Sequence, residues 1–128
     1  MRRDMDLIRA LMLAVESAGD YLGVDSGDLH IEGRSAAEIA NHVRLLVQAG
    51  LLEGSEATGD GDGDGTWCFI SLRLTWDGCE FLDAARDDTR WRRARDQIRK
   101  VGSVTLPLLS QLLISYLKQE LGLSGEAR

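Results

Sequence analysis

The chain has 128 residues, 44% of them hydrophobic, and a formal net charge of −6. This length and composition favour one folded domain with its own core and exclude a disordered chain. Two cysteines are too few for a disulfide framework, so we expect reduced thiols in a cytoplasmic protein. We expect no secretory signal, because Asp4 and Asp6 interrupt the first residues. We also expect no membrane span, because residues 104–117 form too short an apolar stretch.

The charges are unevenly distributed along the chain. Residues 10–85 contain three basic and fourteen acidic side chains, whereas residues 86–100 contain seven basic and three acidic ones. DNA-binding proteins usually present a basic face, because neutralising phosphate charge supplies much of their affinity. The sequence therefore offers only one local basic surface for a nucleic acid, within an acidic body.

Two amphipathic helices are predicted in the first half of the chain. The first covers residues 4–17, where apolar side chains recur at helical spacing: Met5, Ile8, Leu11, Met12 and Val15. Residues 29–31 are typical of a strand-like pairing segment. Ser35 and Glu38 have the spacing of a capping box, which predicts a second helix that begins at Ser35 and ends before Gly50.

A β-hairpin is predicted next. Residues 67–74 alternate between Trp67 and Phe69 on one face and Cys68, Ile70, Leu72 and Leu74 on the other. The glycine- and acid-rich residues 54–65 predict the loop at its tip. Residues 60–65 match the first half of a calcium loop, but Ser71 replaces the glutamate at the twelfth position, so a soluble tip is the preferred interpretation.

Helices are predicted for the rest of the chain. Thr75 can cap a third helix, residues 87–89 interrupt it, and a basic stretch continues over residues 90–100. Thr105 can cap a last helix, whose apolar face is wider than one neighbouring helix needs. We expect a single domain with a core over residues 1–103 and a C-terminal helix over residues 104–128, which packs on that core or forms a dimer interface.

The predicted order of helix, short strand, helix, hairpin and helix is that of a winged helix. EIANHVRLLVQAGLLEG (residues 38–54) resembles the recognition helix and first wing strand of bacterial winged-helix repressors. LRLTWDGCEFL (residues 72–82) resembles their second wing strand followed by a Thr-capped helix. We therefore expect a mainly α protein with a small β-hairpin (α+β), a winged helix-turn-helix with additional C-terminal helices. The supporting helix of that fold is degenerate, lies within residues 21–26, or is absent.

Nearly the whole chain also resembles one family of unknown function that is common in bacteria and their phages. Its members begin much like MRRDMDLIRALML and share the AGLLEG turn, the LRLTWDGCEFLDAARDDTRW block and an end similar to SYLKQELGL. The resemblance implies a winged-helix fold and a frequent prophage context. It implies no activity and supplies no site residue.

The exposed side of the second helix is the candidate for reading DNA bases, with the basic stretch as the candidate for phosphate contacts. Contacts with a protein through Leu45, solvent exposure, and ion pairs within the basic stretch remain the alternatives. The DNA-binding candidates are Asn41, His42, Arg44, Gln48, Arg90, Arg92, Arg93 and Arg99.

Enzymatic activity has little support in the sequence. Two histidines and two cysteines show no zinc spacing, and no phosphate loop or nucleophile elbow is present. We expect no catalytic residue, metal, cofactor or small-molecule substrate. Instead we expect a homodimeric DNA-binding regulator of phage origin or, alternatively, an acidic protein-binding module that modulates a host factor. The candidate protein-interface residues are Leu45, Leu108, Ile114 and Tyr116.

Overall fold

A computed structural model describes residues 2–18, 21–58 and 67–123. Within these ranges the protein is mainly helical with one two-stranded antiparallel sheet, which confirms the expected α+β class. The elements are α1 (Met5–Ala18), a 3₁₀ turn (Ser26–Asp28), α2 (Ala36–Gln48), β1 (Leu52–Thr58), β2 (Trp67–Leu74), α3 (Trp76–Ala85), α4 (Asp88–Val101) and α5 (Leu106–Glu120).

The chain divides into two compact units, Met1–Cys79 and Glu80–Arg128. The expected division into residues 1–103 and 104–128 stays a prediction. In the part of the chain that is described, no helix has both the length and the apolar character needed to cross a bilayer.

In the first unit, α1 packs against α2 and β2, and its inward side is close to the predicted one. Leu7 is buried and Met5 is only half-buried, so the buried side of α1 is rotated by part of a turn from the predicted one. The buried side chains of α1 are Leu7, Ile8, Leu11, Met12 and Val15.

The capping box at the start of α2 is confirmed. The Glu38 N–H donates to Ser35 Oγ at 3.1 Å, and the Ser35 N–H donates to Glu38 Oε1 at the same distance. Gly50, which follows α2, has a φ of 79°, the left-handed conformation expected of a glycine there.

The hairpin is confirmed, but its predicted alternation fails at a β-bulge. The pairing of β1 with β2 shifts register between Glu53 and Ser55, and Ser71 on the opposite strand has a φ of 57°. The extra residue reverses the faces of the strand beyond it, so Phe69 and Leu72 are both buried. β1 also continues through residues 54–58, which were predicted as loop. Residues 60–65, which match half of a calcium loop and were predicted as a soluble tip, lie outside the described residues.

The prediction of a strand-like segment at residues 29–31 is wrong. Val24 instead pairs with Leu72: each N–H donates to the other's carbonyl oxygen, at 3.0 and 2.7 Å. Between Val24 and α2 the only helical turn is the short 3₁₀ turn Ser26–Asp28. The described segment before α2 therefore contains no full supporting helix.

A junction at Thr75 joins the end of α2, the base of the hairpin and the start of α3. The Thr75 N–H donates to the Leu51 carbonyl at 3.1 Å, and its hydroxyl donates to the Gly50 carbonyl at 2.5 Å. Thr75 Oγ1 also accepts from the Gly78 N–H at 2.9 Å, which caps α3 as predicted. A Cβ at Gly78 would collide with the Leu51 carbonyl oxygen, so only glycine fits there.

In the second unit, α4 and α5 form an antiparallel pair. The Arg90 N–H donates to Asp87 Oδ2 at 2.8 Å, so Asp87 caps α4 and the predicted interruption of the helices is confirmed. The buried apolar side chains of this unit are Phe81, Leu82, Ala84, Ala85, Trp91, Ala94, Leu109, Leu113 and Tyr116.

We predict that Gly78→Ala lowers the free energy of unfolding by about 3 kcal/mol, because the added methyl group meets backbone that cannot move freely. Gly27→Ala is the matched control, since a Cβ at Gly27 meets nothing within 4 Å. Urea unfolding of both variants measures the effect. Equal stability of the two variants would contradict the close approach of α3 to Leu51.

Candidate functional site

One side of α2 presents four exposed residues in a row, Ala37, Asn41, Arg44 and Gln48. They follow one another at intervals of four, three and four residues, so they share one side of the helix. We call these residues the α2 stripe. The sequence predicted three of them as exposed, and they are. Their role in binding DNA stays a prediction.

His42 does not belong to that surface. Only 1% of its surface is exposed, and the Asp4 N–H donates to its Nε2 at 2.9 Å. Because Nε2 accepts, the ring proton is on Nδ1, which donates to the Glu38 carbonyl oxygen at 2.9 Å. His42 therefore joins the start of α1 to α2, and its prediction as a DNA contact is corrected.

An ionic network surrounds the same end of α2. Arg34 lies 2.7 Å from Asp4 Oδ2 and 3.6 Å from Glu38 Oε2. Asp4 Oδ1 accepts from the N–H groups of Asp6 at 2.9 Å and Leu7 at 3.2 Å, which caps α1. The Glu38 carboxylate accepts from the Ser35 N–H and pairs with the Arg34 guanidinium.

The ion pair between Asp4 and Arg34 shifts the pKa of both groups. Burial alone would raise the pKa of Asp4, but the hydrogen bond and charge of Arg34 and the two backbone N–H donors hold it below its ordinary value. The hydrogen bond that Arg34 donates to Asp4 is also the main cause that raises the pKa of Arg34. Both groups are therefore charged at neutral pH.

A cavity of about 230 Å³ lies between the 3₁₀ turn and α2. This is smaller than most pockets for drug-sized ligands, which start at about 300 Å³. In the described ranges, no three or more His, Cys, Asp or Glu side chains form a group that could hold a metal ion. The cavity is lined by Ser26, Gly27, Leu29, His30, Ile31, Arg34, Ala36, Ile39, Ala40 and Cys68.

Arg90, predicted as a DNA contact, is buried in the second unit. Its exposed fraction is 8%, its Nε and NH2 groups donate to the two oxygens of Glu120 at 3.0 and 2.6 Å, and NH1 donates to the Ala84 carbonyl at 2.8 Å. This bidentate bond raises the pKa of Arg90 and lowers the pKa of Glu120. The prediction is corrected: Arg90 joins α4 to the end of α5.

Arg93 is exposed but engaged with α5. Its guanidinium lies 3.8 Å from the ring centroid of Tyr116, and NH1 donates to Gln119 at 3.3 Å. Tyr116 is buried beneath it, so its predicted place in a protein interface is corrected. Arg92 and Arg99 are exposed as predicted; Arg92 donates to the Asp88 carbonyl at 3.3 Å, and Arg99 lies 3.7 Å from Asp96.

The other predicted interface residues differ in exposure. Leu108 and Ile114 are 56% and 44% exposed, and they lie on opposite sides of the buried face of α5. Leu45 is half-buried beside the α2 stripe. The expected interface on α5 is therefore not one continuous surface.

The charge is divided between the two units. Met1–Cys79 contains six basic and fourteen acidic residues, which gives a net charge of −8. Glu80–Arg128 contains nine basic and seven acidic residues, which gives +2. The α2 stripe thus belongs to the acidic unit, and the exposed arginines of α4 belong to the basic one.

Residues 2–105 match the family described as "Hypothetical protein (DUF2513)". The chain belongs to this family. The match covers α1 to α4 and ends just before α5. An uncharacterized protein of Haemophilus influenzae is 30% identical over 122 residues, which cover 94% of this chain and 99% of that relative. No solved structure matches. The expected membership of an uncharacterised family is confirmed.

Asp4 should make stability depend on pH. Its folded pKa is below the unfolded value of about 3.9, so its contribution is fully present above the unfolded value and is lost as the pH falls through the folded pKa. Asp4→Asn keeps a capping oxygen but not the charge. We expect this variant to be less stable than the wild type at pH 7, with a difference that shrinks toward pH 3, in urea unfolding.

The exposed Asp28 supplies the matched control for Asp4. Asp28→Asn should leave the dependence of stability on pH close to that of the wild type. A constant difference between Asp4→Asn and the wild type from pH 7 to pH 3 would contradict the ion pair with Arg34.

Arg90→Leu removes three hydrogen bonds at a buried position, so we expect the free energy of unfolding to fall by about 2 kcal/mol. The half-exposed Glu120 can recover water, which keeps the loss below that of a fully buried pair. Arg99→Leu, which removes an exposed arginine from the same helix, should change stability by less than about 0.5 kcal/mol. Chemical denaturation compares the two variants. An equal loss of stability in both would contradict the buried bond between Arg90 and Glu120.

Proposed function

We propose that this protein binds DNA and reads base edges in the major groove with the α2 stripe. The observation that carries the proposal is the exposed row of Asn41, Arg44 and Gln48 on one side of a helix anchored by its other side. Asn and Gln side chains pair with adenine edges, and Arg pairs with guanine. The small Ala37 at the start of the stripe allows the helix to approach the bases closely.

The order of the elements supports a winged-helix fold. The pairing of Val24 with Leu72 supplies the short strand between the first two helices, α2 takes the place of the recognition helix, and β1 with β2 forms the wing. In this proposal the supporting helix is reduced to the turn Ser26–Asp28, and α3 to α5 are the additional helices. The role is that of a non-enzymatic transcriptional regulator; a phage origin and a cytoplasmic location stay predictions.

The charge of the first unit sets the expected strength of binding. A net charge of −8 opposes phosphate contacts, so affinity should depend strongly on base contacts and on low salt. Glu38 opposes binding less than its position suggests, because Ser35 and Arg34 engage its carboxylate. The exposed Arg92 and Arg99 are the candidates for the phosphate contacts that remain.

The same acidic charge favours a second candidate function, an acidic module that binds a basic surface of a host protein. Leu45, half-buried beside the α2 stripe, could provide an apolar contact in such a complex. Under this alternative, binding should not require Asn41 or Gln48.

DNA binding is best tested by fluorescence anisotropy, with duplexes selected from a random library and duplexes from the protein's own locus. At about 50 mM salt we expect binding that weakens steeply by about 200 mM. Arg44→Ala should weaken binding to the selected site about tenfold or more, because one bidentate base contact contributes about 1–3 kcal/mol. Arg86→Ala, which removes the same charge outside the stripe, should have little effect.

Two further variants separate base reading from phosphate contact. The Asn41→Ala, Gln48→Ala double variant should relax sequence preference, whereas Arg92→Glu with Arg99→Glu should weaken all duplexes alike and reduce the salt dependence. No binding of any duplex at micromolar protein in low salt would overturn the proposal. The acidic-module candidate would then be tested with immobilised basic host proteins.

A further inference from the structure

The cavity between the 3₁₀ turn and α2 combines an apolar surface with one buried hydroxyl group. Leu29 and Ile39, both buried, and the half-buried Ile31 supply its large apolar side chains. Ser26, which is 8% exposed, adds the hydroxyl. The cavity opens to solvent beside the exposed Ala36. A small molecule therefore has an entrance and an apolar surface to pack against.

Two small residues of α2 leave this space open. Ala36 and Ala40 are one turn apart, on the side of α2 that lines the cavity. A leucine at either position would occupy much of the space that these alanines leave. The α2 stripe lies on another side of the same helix, so the cavity and the stripe share α2 but no residue.

The volume of the cavity sets the size of its ligand. An apolar cavity of about 150 Å³ holds benzene, so a cavity of about 230 Å³ has room for one ring with a short substituent, or about nine non-hydrogen atoms. Drug-sized molecules need about 300 Å³ or more. The ligand that fits is therefore a single-ring molecule.

The charges around the cavity favour a neutral ligand. Among the described residues that line it, Arg34 is the only one with a permanent charge, and its guanidinium lies 2.7 Å from Asp4 and 3.6 Å from Glu38. An anion would compete with these two carboxylates, and a cation would meet no carboxylate in the lining. Because an unpaired charge is costly to move from water into an apolar cavity, both kinds of ion are disfavoured.

The Ser26 hydroxyl selects the polar group of the ligand. Ser26 Oγ accepts from the Phe69 N–H at 3.0 Å, which leaves the hydroxyl proton to be donated. A buried donor is most stable when it meets an acceptor, and a carbonyl oxygen on the ligand would supply one. The thiol of Cys68, the remaining contribution from β2, is only a weak hydrogen-bonding group.

We propose that this cavity binds a neutral, single-ring molecule with one hydrogen-bond acceptor. Its ring packs against Leu29, Ile31 and Ile39, and its acceptor bonds to the Ser26 hydroxyl. Under the proposed function this ligand is the effector of the regulator, because it joins the 3₁₀ turn to the helix that carries the α2 stripe. Only this last step rests on the proposed function, and ligand binding can be measured without DNA.

Acetophenone is a suitable probe, because it is a neutral ring of this size with one carbonyl group. A molecule of about nine non-hydrogen atoms should bind with a Kd on the order of 1 mM. Cys68 lines the cavity and the exposed Cys79 does not, so the chain contains its own control. At about 5 mM acetophenone we expect alkylation of Cys68 by iodoacetamide, followed by mass spectrometry, to slow about fivefold, with the rate at Cys79 unchanged.

Substitutions on α2 test the position of the ligand. Ala40→Leu fills the cavity, so acetophenone should not change its Tm. Ala49→Leu adds the same side chain at the exposed end of the helix, and its Tm should rise by about 3 °C with acetophenone, as in the wild type. Ala36→Leu blocks the exposed entrance without adding volume to the core, and it should also abolish the response. Circular dichroism confirms that each variant is folded.

Charged probes test the neutrality of the site. Benzoate and benzylammonium are similar in size to acetophenone, but neither should protect Cys68 at the same concentration. The proposal would be overturned by unchanged alkylation of Cys68 in acetophenone, by equal protection from a charged probe, or by a normal response in Ala40→Leu and Ala36→Leu. Protection of Cys68 without any change in DNA affinity would overturn only the effector role.

Discussion

The backbone contact between Leu51 and the start of α3 determines how the first unit presents α2. Four elements end or begin within a few residues of this contact: α2, β1, β2 and α3. Thr75 binds the carbonyl groups of Gly50 and Leu51 and caps α3 at the same time, and Gly78 leaves room for the Leu51 carbonyl. Because these bonds are to backbone groups at close range, they fix the position of the α2 C-terminus without using its exposed side.

The other end of α2 is held by the bonds among Asp4, Arg34, Glu38 and His42. α2 is therefore fixed at its start by polar bonds to α1, at its end by the Thr75 junction, and along its length by buried apolar side chains. A helix supported in this way presents its exposed residues with little freedom, which favours recognition of a rigid partner such as a duplex. The α2 stripe lies on the exposed side of the helix, so its residues can change without disturbing the buried side.

Local signals predicted the fold well, and long-range partners account for the errors. The capping box at Ser35 and the cap at Thr75 depend on neighbours three residues away, and the hairpin depends on two strands consecutive in the chain, so patterns within short segments reveal them. The buried positions of His42 and Arg90 depend on Asp4 and Glu120, which are 38 and 30 residues away. A polar residue on a helix is exposed by default, and only such a partner makes its burial favourable. The bulge at Ser71 likewise arises from the pairing of β2 with β1. Its position could not be predicted, because the residue with positive φ is a serine and not a glycine.

Three segments of the sequence, MRRDMDLIR, AGLLEG and LTWDG, supply contacts that hold the first unit together. In the MRRDMDLIR segment Asp4 caps α1, in AGLLEG Gly50 and Leu51 accept the bonds of Thr75, and in LTWDG Gly78 admits the Leu51 carbonyl. These residues build the scaffold and face inward or toward backbone. The α2 stripe lies outside these three motifs, so a relative can share the scaffold and yet present a different stripe.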